Sequence, residues 1–92
     1  MDNKYNRPEV TNEEVKLAFQ TLRSKLKEAR DYTGSHAFIS THEIVGVIQE
    51  EFDELKDAVH NNEPDSIVKE LMDLLISALW SYISFTNEKC DW

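Results

Sequence analysis

The segment from residue 67 to residue 85 constrains the fold more than any other part of the sequence. Its apolar residues recur at helical spacing and, at about 100° per residue, cover most of a helix circumference. They are Ile67, Val68, Leu71, Met72, Leu74, Leu75, Ile76, Ala78, Leu79, Trp80, Ile83 and Phe85. Lys69, Glu70 and Asp73 lie near its start, which a helix crossing a bilayer would rarely tolerate. We therefore predict a helix over about 65–86 that is buried within a helical assembly rather than in a membrane.

A first amphipathic helix is predicted near the start of the chain. Thr11 and Glu14 have the spacing of a capping box, in which a hydroxyl and a carboxylate satisfy backbone N–H groups left unpaired at a helix start. Apolar residues then recur at helical spacing, namely Val15, Ala18, Phe19, Leu22, Leu26 and Ala29. We predict a helix over about 12–31, with Gly34 as its stop and residues 32–39 as a loop.

A second amphipathic helix is predicted in the middle of the chain. Ser40 and Glu43 repeat the capping-box spacing. The apolar residues that follow are Ile44, Val45, Val47, Ile48, Phe52, Leu55, Ala58 and Val59. They predict a helix over about 41–60. Residues 61–65 then form a turn, in which Pro64 suits the first turn of the next helix.

The size and composition of the chain favour a single all-α domain over residues 1–92, with an irregular lead-in at 1–10. Only two Gly and two Pro occur among 92 residues, and strand signals are absent. Two amphipathic helices cannot fully wrap the apolar third one, and a small domain buries a smaller share of its surface than a large one. The predicted fold is therefore an all-α, three-helix chain that forms an oligomeric helical bundle, a homo-dimer or homo-tetramer.

The net charge of the chain limits the kinds of molecule that it can bind. The formal net charge is −8, from 18 acidic and 10 basic residues, and no Lys/Arg cluster could track a phosphate backbone. A small polyanion could bind only if divalent cations bridge it to the acids. Residues 1–5 lack the apolar core of a signal peptide, and Cys90, as the single cysteine, allows no intrachain disulfide. We expect a soluble, cytoplasmic protein that binds neither nucleic acid nor membrane.

A few acidic residues lie where a solvated helix surface would not place them. On the second helix, with Ile44 at 0°, Glu51 falls at about 340° inside the apolar stripe, Glu54 at about 280° on its border and Glu50 at about 240° just beyond. On the third helix, the acids share a polar seam with three serines, and its members are Glu70, Asp73, Ser77, Ser81 and Ser84. Carboxylates are rarely buried unless they are paired or bound to metal.

Two explanations of these acids remain open from geometry alone. In one, Arg23 or Lys25 of the first helix neutralises Glu51 and Glu70, and the serines only allow close packing. In the other, the two acid pairs converge across an antiparallel helix pair and hold a hard cation. Mg²⁺ prefers oxygen ligands and keeps several waters, which suits a carboxylate cluster that is open to substrate phosphates.

The complete pattern resembles a known family signature. Glu51-x-x-Glu54, fifteen intervening residues and Glu70-x-x-Asp73 are similar to the motifs of the MazG-like all-α nucleoside triphosphate pyrophosphohydrolase superfamily, over about residues 40–86. The resemblance implies Mg²⁺-dependent hydrolysis of a nucleoside triphosphate, first of all a dNTP, between the α and β phosphates. The products would be the monophosphate and pyrophosphate. It also implies that these four acids hold Mg²⁺ or Mn²⁺.

The resemblance suggests roles for further residues. Glu50 is the candidate for positioning or deprotonating the attacking water, with a solvent-facing acid as the alternative. Asn87 and Lys89 are candidates for phosphate contacts, with a frayed end as the alternative. Trp80 and Tyr82 could stack on a base, although aromatic residues on such a helix are more often core or interface. The alternatives to an enzyme are a non-catalytic oligomeric module that binds metal, nucleotide or a protein partner, and a helical interaction protein whose acids are structural.

Overall fold

The computed structural model describes residues 6–92; the predicted lead-in is seen only from residue 6 to residue 10, and its first five residues lie outside the described part. Three helices follow, α1 over Asn12–Thr33, α2 over Thr41–His60 and α3 over Pro64–Thr86. The only strand-like pairing within the described residues is one isolated bridge. The predicted all-α, three-helix architecture is confirmed. Among the described residues, none of the three helices combines the length and the hydropathy that a membrane span requires.

Helix α1 starts as predicted and ends two residues later than predicted. Both halves of the capping box between Thr11 and Glu14 are present, with hydrogen bonds of 2.8 and 3.1 Å. At the other end, the Thr33 hydroxyl donates a 2.7 Å hydrogen bond to the carbonyl of Ala29 in the preceding turn. Gly34 then ends the helix with a φ of 92°, a backbone conformation that other residues rarely adopt.

Helix α2 has the predicted bounds, but its cap differs in detail. The Ser40 hydroxyl accepts the predicted hydrogen bond from the Glu43 N–H at 3.1 Å. The Glu43 carboxylate, however, accepts from the N–H of Ile39 at 2.9 Å instead of from Ser40. Ser40 is extended and forms the isolated bridge with Asp91, and the Glu43 carboxylate pairs with the residue before Ser40. The capping-box prediction is therefore half right at this helix.

Helices α2 and α3 form an antiparallel pair that carries most of the interhelical packing. The turn between them is Asn61–Glu63, shorter than the predicted 61–65, because Pro64 already occupies the first position of α3. Asn62 has a φ of 54°, a left-handed conformation that asparagine tolerates better than most residues. The pairing sets the second half of α2 beside the first half of α3. Helix α1 contacts α3 much less extensively.

The chain on its own encloses very little core. Among the described residues only Ala58, Ser81 and Ser84 are buried. The accessible surface is 7811 Å², whereas a compact monomer of this mass would expose about 5,500 Å². Large apolar side chains on all three helices are exposed, among them Val15, Leu17, Phe19, Val45, Phe52, Val59, Val68, Leu71 and Leu75. Two amphipathic helices do not wrap α3, as predicted, and the uncovered apolar surface is available to a partner.

The residues after α3 fold back onto the segment before α2 instead of fraying. The Asp91 N–H donates to the carbonyl of Ile39 at 2.8 Å, and the Thr41 N–H donates to the carbonyl of Asp91 at 2.7 Å. The ring of Trp92 packs edge-on against Phe85, with 5.3 Å between the centroids. The frayed end considered from the sequence is therefore wrong, because these contacts hold the last residues in place.

Candidate metal centre

Three of the predicted metal ligands converge where α2 and α3 run side by side. Glu51, Glu70 and Asp73 each offer a carboxylate oxygen, and these oxygens all lie within 4.8 Å of one another. The antiparallel pairing brings the first residue, from α2, opposite the other two, which share one face of α3 because they are three positions apart. All three side chains are partly buried. The helix pair therefore forms an oxygen-rich cluster from residues that are far apart in sequence.

Two oxygens of this cluster are buried and have no hydrogen-bond partner. They are Oε2 of Glu51 and Oε2 of Glu70. An unsatisfied buried polar group costs about 1–3 kcal/mol, and a charged one costs more. A divalent cation with its retained waters would satisfy both oxygens, and oxygen donors are the ligands that Mg²⁺ and Mn²⁺ accept. The donor set and the unpartnered oxygens therefore fit a hard cation.

The electrostatics of the cluster also favour a cation. Burial raises the pKa of Glu51 above its ordinary value, and the nearby carboxylates of Glu54, Asp73, Glu70 and Glu50 raise it further. The pKa of Glu54 is raised too, first by a hydrogen bond with the Glu70 side chain and then by partial desolvation and by the negative charge of Glu70. Both pKa shifts mean that the charged forms of Glu51 and Glu54 are disfavoured in the folded protein as long as no cation neutralises them.

The remaining predicted acids lie at the edge of the cluster. Glu54 is exposed and is not among the three converging ligands, but its carboxyl lies within hydrogen-bond reach of Glu70. Glu50 is exposed as well, and its charge contributes to the raised pKa of both Glu51 and Glu54. The structure thus brings together three of the four predicted ligands, with the fourth beside them. The candidate base lies within electrostatic range.

The positive charge at the cluster comes from α3 and not from α1. Lys69 Nζ lies 2.9 Å from Oδ2 of Asp73 and 3.4 Å from Oε1 of Glu70. Lys25 instead pairs with Glu28 on its own helix at 3.4 Å. Within residues 6–92, no ion pair joins Arg23 or Lys25 to the acids of the cluster. The sequence left open that a basic residue of α1 neutralises the acids of the cluster. The structure shows no such pairing within the described residues.

A cavity of about 460 Å³ opens beside the cluster, where Glu51 and Asp73 form part of its wall. Its size is in the range of small-molecule sites. The other lining residues are largely apolar and come from α1, α3 and the segment between α1 and α2, with Leu26, Ala29, Ile76, Trp80 and Phe38 among them. The cavity therefore joins an acidic end to an aromatic end.

Contacts at the aromatic end hold Trp80 in place. Its Nε1–H donates a 2.8 Å hydrogen bond to the carbonyl of His36, and the Arg30 guanidinium lies 5.7 Å from the ring centroid. Ser84, on the next turn of α3, accepts a 3.1 Å hydrogen bond from the Phe38 N–H. Sequence reasoning considered Trp80 but missed Arg30 and the His36 carbonyl, because neither residue belongs to a motif or to a local periodic pattern.

The structure does not bring Asn87 and Lys89 to the cluster. The Asn87 side chain donates a 2.9 Å hydrogen bond to the carbonyl of Ile83 and caps α3, and the Lys89 N–H donates to the carbonyl of Ser84 at 3.0 Å. Asn87 follows Asp73 by about 21 Å along the helix axis, at 1.5 Å per residue. A role in phosphate contact is therefore not supported within one chain.

Comparison with known proteins gives one family match. The family model described as the MazG nucleotide pyrophosphohydrolase domain matches residues 40–89, which is more than half of the chain. The match contains α2, α3 and every site residue predicted from the sequence. No curated protein and no solved structure gives a significant match.

Proposed function

The chain belongs to the MazG nucleotide pyrophosphohydrolase family, and on that premise we propose that it hydrolyses a nucleoside triphosphate to the monophosphate and pyrophosphate. Deoxynucleoside triphosphates are the first candidates. The observation that carries the proposal is the convergence of Glu51, Glu70 and Asp73, with two unpartnered oxygens, beside a nucleoside-sized cavity whose wall includes Glu51 and Asp73.

The proposed metal ligands are Glu51, Glu70 and Asp73, with Glu54 beside them at the edge. A bound Mg²⁺ or Mn²⁺ would neutralise the triphosphate, polarise a phosphoryl oxygen and make water a better nucleophile. The carboxylates supply the negative charge that fixes the cation between α2 and α3. The chain has a net charge of −8, so without a cation it would repel the substrate.

The cavity between the acids and Trp80 is the proposed place for the nucleoside. The aromatic end offers the Trp80 ring and the apolar side chains of Phe38 and Ile76, and the acidic end lies where the phosphates would meet the cation. Arg30 lines the same cavity, and its guanidinium lies 5.7 Å from the centroid of the tryptophan ring. Aromatic faces and a few polar groups are the usual means of holding a base in such a site.

Glu50 is the proposed general base. A water oxygen forms the bond to the α-phosphorus, the bond from that phosphorus to the α,β-bridging oxygen breaks, and pyrophosphate leaves with the bond electrons. The proton lost by the water passes to the Glu50 carboxylate. Glu50→Gln should therefore cut turnover by about 10²–10⁴-fold while Mn²⁺ binding persists. Asp53→Asn is the matched control, because it removes one negative charge from an exposed position of α2 that lies on another face.

The experiment that tests the proposal is a panel of NTPs and dNTPs incubated with Mg²⁺, in which monophosphate and pyrophosphate are measured as separate products. Glu70→Gln is expected to abolish turnover because it weakens the metal centre itself. Release of diphosphate and orthophosphate would contradict attack at the α-phosphorus. Inactivity across the whole panel would contradict the enzymatic proposal.

A second candidate function is a non-catalytic oligomeric module that binds metal, nucleotide or a protein partner without turnover. The observation that favours it is the position of Asn87 and Lys89, which lie beyond the C-terminal end of α3, while the acids are in its first half, so that few basic side chains are left at the site. Mn²⁺ binding without turnover would select this candidate. Absence of Mn²⁺ binding would instead favour a helical interaction protein whose acids are structural.

We further propose that the protein is a homo-oligomer, a dimer or a tetramer. The support is the thin core of the single chain and the large apolar side chains exposed on all three helices. Burial of several such side chains against a second copy would remove them from water at about 25 cal/mol per Å². Light scattering at micromolar concentration should give at least twice the chain mass of 10.7 kDa. A monomeric mass would contradict the proposal.

A further inference from the structure

Lys69 is the one cation that contacts the acidic cluster within the described residues. We propose that it is an exchangeable internal counter-ion: it holds the cluster when no metal is bound, and it becomes a ligand of the leaving pyrophosphate when a divalent cation enters. This inference rests on the proposed function, because it assigns the direction in which the substrate lies across the metal centre.

Lys69 neutralises part of the acidic cluster, as a bound metal ion would, but it contacts only two of the three carboxylates. Its Nζ lies 2.9 Å from Oδ2 of Asp73 and 3.4 Å from Oε1 of Glu70. The other oxygen of Glu70 and Oε2 of Glu51 stay without a partner. A single ammonium group at the edge thus pairs with one oxygen each of Asp73 and Glu70 and leaves two buried oxygens, one on each helix, without a partner. A divalent cation between the helices would serve both sides.

A metal ion can displace Lys69 at a small cost in free energy, because the ion pairs of the lysine are exposed and weak. Its side chain is 68% exposed, whereas those of Glu70 and Asp73 are 13% and 37% exposed. Exposed ion pairs between residues four apart on a helix add little stability, so the lysine can leave at small cost. A divalent cation within a few ångströms would also repel the ammonium group directly. Metal entry therefore frees the Lys69 side chain.

A second cavity shows where the freed lysine would act. It has a volume of about 570 Å³, and it shares Ala29, Asp73 and Ile76 with the cavity that contains Trp80. Lys25 and Lys69 both line the second cavity, and neither lines the first. Asp73 thus lies between an aromatic cavity on one side and a cavity with two lysines on the other.

The two cavities on either side of Asp73 determine the direction in which the substrate lies across the metal centre. The nucleoside belongs in the aromatic cavity, the α-phosphate belongs at the metal centre, and the β and γ phosphates extend past Asp73 to the lysines. Glu28 and Asp65 line the second cavity as well, and Lys25 pairs with Glu28 at 3.4 Å. Lys69 is therefore the lysine there that metal entry would free for a phosphate. Lysine ammonium groups are common ligands of phosphate oxygens. Lys69 would then stabilise the negative charge that develops on the departing pyrophosphate.

The test compares two binding measurements on the full chain, neither of which requires turnover. Mn²⁺ binding is followed by electron paramagnetic resonance, and binding of inorganic pyrophosphate at saturating Mn²⁺ is followed by calorimetry. Lys69→Gln should bind Mn²⁺ about 2- to 5-fold more tightly, on the scale of an exposed ion pair. The same variant should bind pyrophosphate at least about 3-fold more weakly. The two affinities are expected to move in opposite directions.

Lys56→Gln is the matched control. Lys56 is on α2, outside the acidic cluster, where its Nζ lies 5.7 Å from the centre of the Phe52 ring, and the substitution makes the same change in net charge. If Lys69→Gln changes both affinities no more than Lys56→Gln does, a general field effect explains the result and the inference is overturned. Absence of Mn²⁺ binding by the wild-type chain would overturn the metal centre as well. Binding without turnover would contradict only the enzymatic proposal.

Discussion

Glu51→Gln should stabilise the metal-free protein and abolish most of its response to Mg²⁺. The glutamine keeps the size of the side chain and removes a charge that is partly buried among other acids. One carboxylate oxygen at this position is buried without a partner, and burial and the neighbouring acids raise the pKa of Glu51. The charged form of Glu51 is therefore disfavoured in the apo protein, and the substitution removes that charge.

The magnitude follows from the separation of the charges. The carboxylate oxygens of Glu51, Glu70 and Asp73 lie within 4.8 Å of one another. Two unit charges at this distance repel by about 1 kcal/mol in water and by about 3.5 kcal/mol at an effective dielectric constant of 20. Partial exposure and the nearby Lys69 favour the lower part of this range. We expect the free energy of unfolding to rise by about 1–2 kcal/mol, which corresponds to about 5–15 °C in Tm for a domain of this size.

The assay is thermal unfolding followed by circular dichroism, in EDTA and across a Mg²⁺ titration. The protein concentration is held fixed, because the Tm of an oligomer depends on it. Mg²⁺ at about one hundred times its dissociation constant should stabilise the wild type by about 2.7 kcal/mol, and the variant much less.

Asp53→Asn is the control for Glu51→Gln. Asp53 is exposed on another face of α2, where it accepts a 3.0 Å hydrogen bond from Gln49. Its removal should change stability by no more than about 0.5 kcal/mol and should leave the Mg²⁺ response intact. A lower Tm of metal-free Glu51→Gln, or a full Mg²⁺ response in this variant, would refute the reasoning.

Three further outcomes are expected. The contribution of Glu51 to the stability of the metal-free protein should fall as the pH rises above about 4.5, the ordinary pKa of glutamate, because Glu51 holds its proton more tightly in the folded state; the Tm of the wild type relative to that of Glu51→Gln should therefore fall over this range. Gly46→Ala should stabilise the protein by about 0.8–1 kcal/mol in urea unfolding, because an added Cβ would meet nothing within 4 Å. Deletion of Asp91 and Trp92 should lower stability by about 1–3 kcal/mol in the same assay, because two backbone hydrogen bonds and a ring contact are lost.

The helices could be predicted closely because their signals are local. The Thr11 and Ser40 hydroxyls cap α1 and α2 where the spacing placed them, and Pro64 opens α3. The end of α1 also has a local cause, since the helix continues up to Gly34, whose φ of 92° ends it. The bridge between Ser40 and Asp91 had no such signal, because it joins residues that are distant in sequence and involves backbone groups that every residue has.

Part of the site could also be predicted from the sequence, because that part depends on local helical periodicity. The helical wheel placed Glu51 inside the apolar stripe of α2, and the structure shows it partly buried against Glu70 and Asp73. A wheel describes one helix at a time, however, so it could not show that Trp80 meets the His36 carbonyl. It also could not show which cation reaches the acids. Contacts between elements depend on how the helices pack, which periodicity does not specify.

Helix α1 links the proposed assembly to the proposed chemistry. It supplies Leu26 and Arg30 to the aromatic cavity and Lys25 to the lysine-lined cavity, so both cavities depend on its position. Yet α1 has no buried residue and contacts α3 only sparsely, while Phe19 in its first half is 64% exposed. Few contacts within the chain therefore fix the position of α1, which forms one wall of both cavities. If a second copy covers the exposed face of α1, assembly would fix one wall of both cavities, and nucleotide affinity would then rise with the oligomeric fraction.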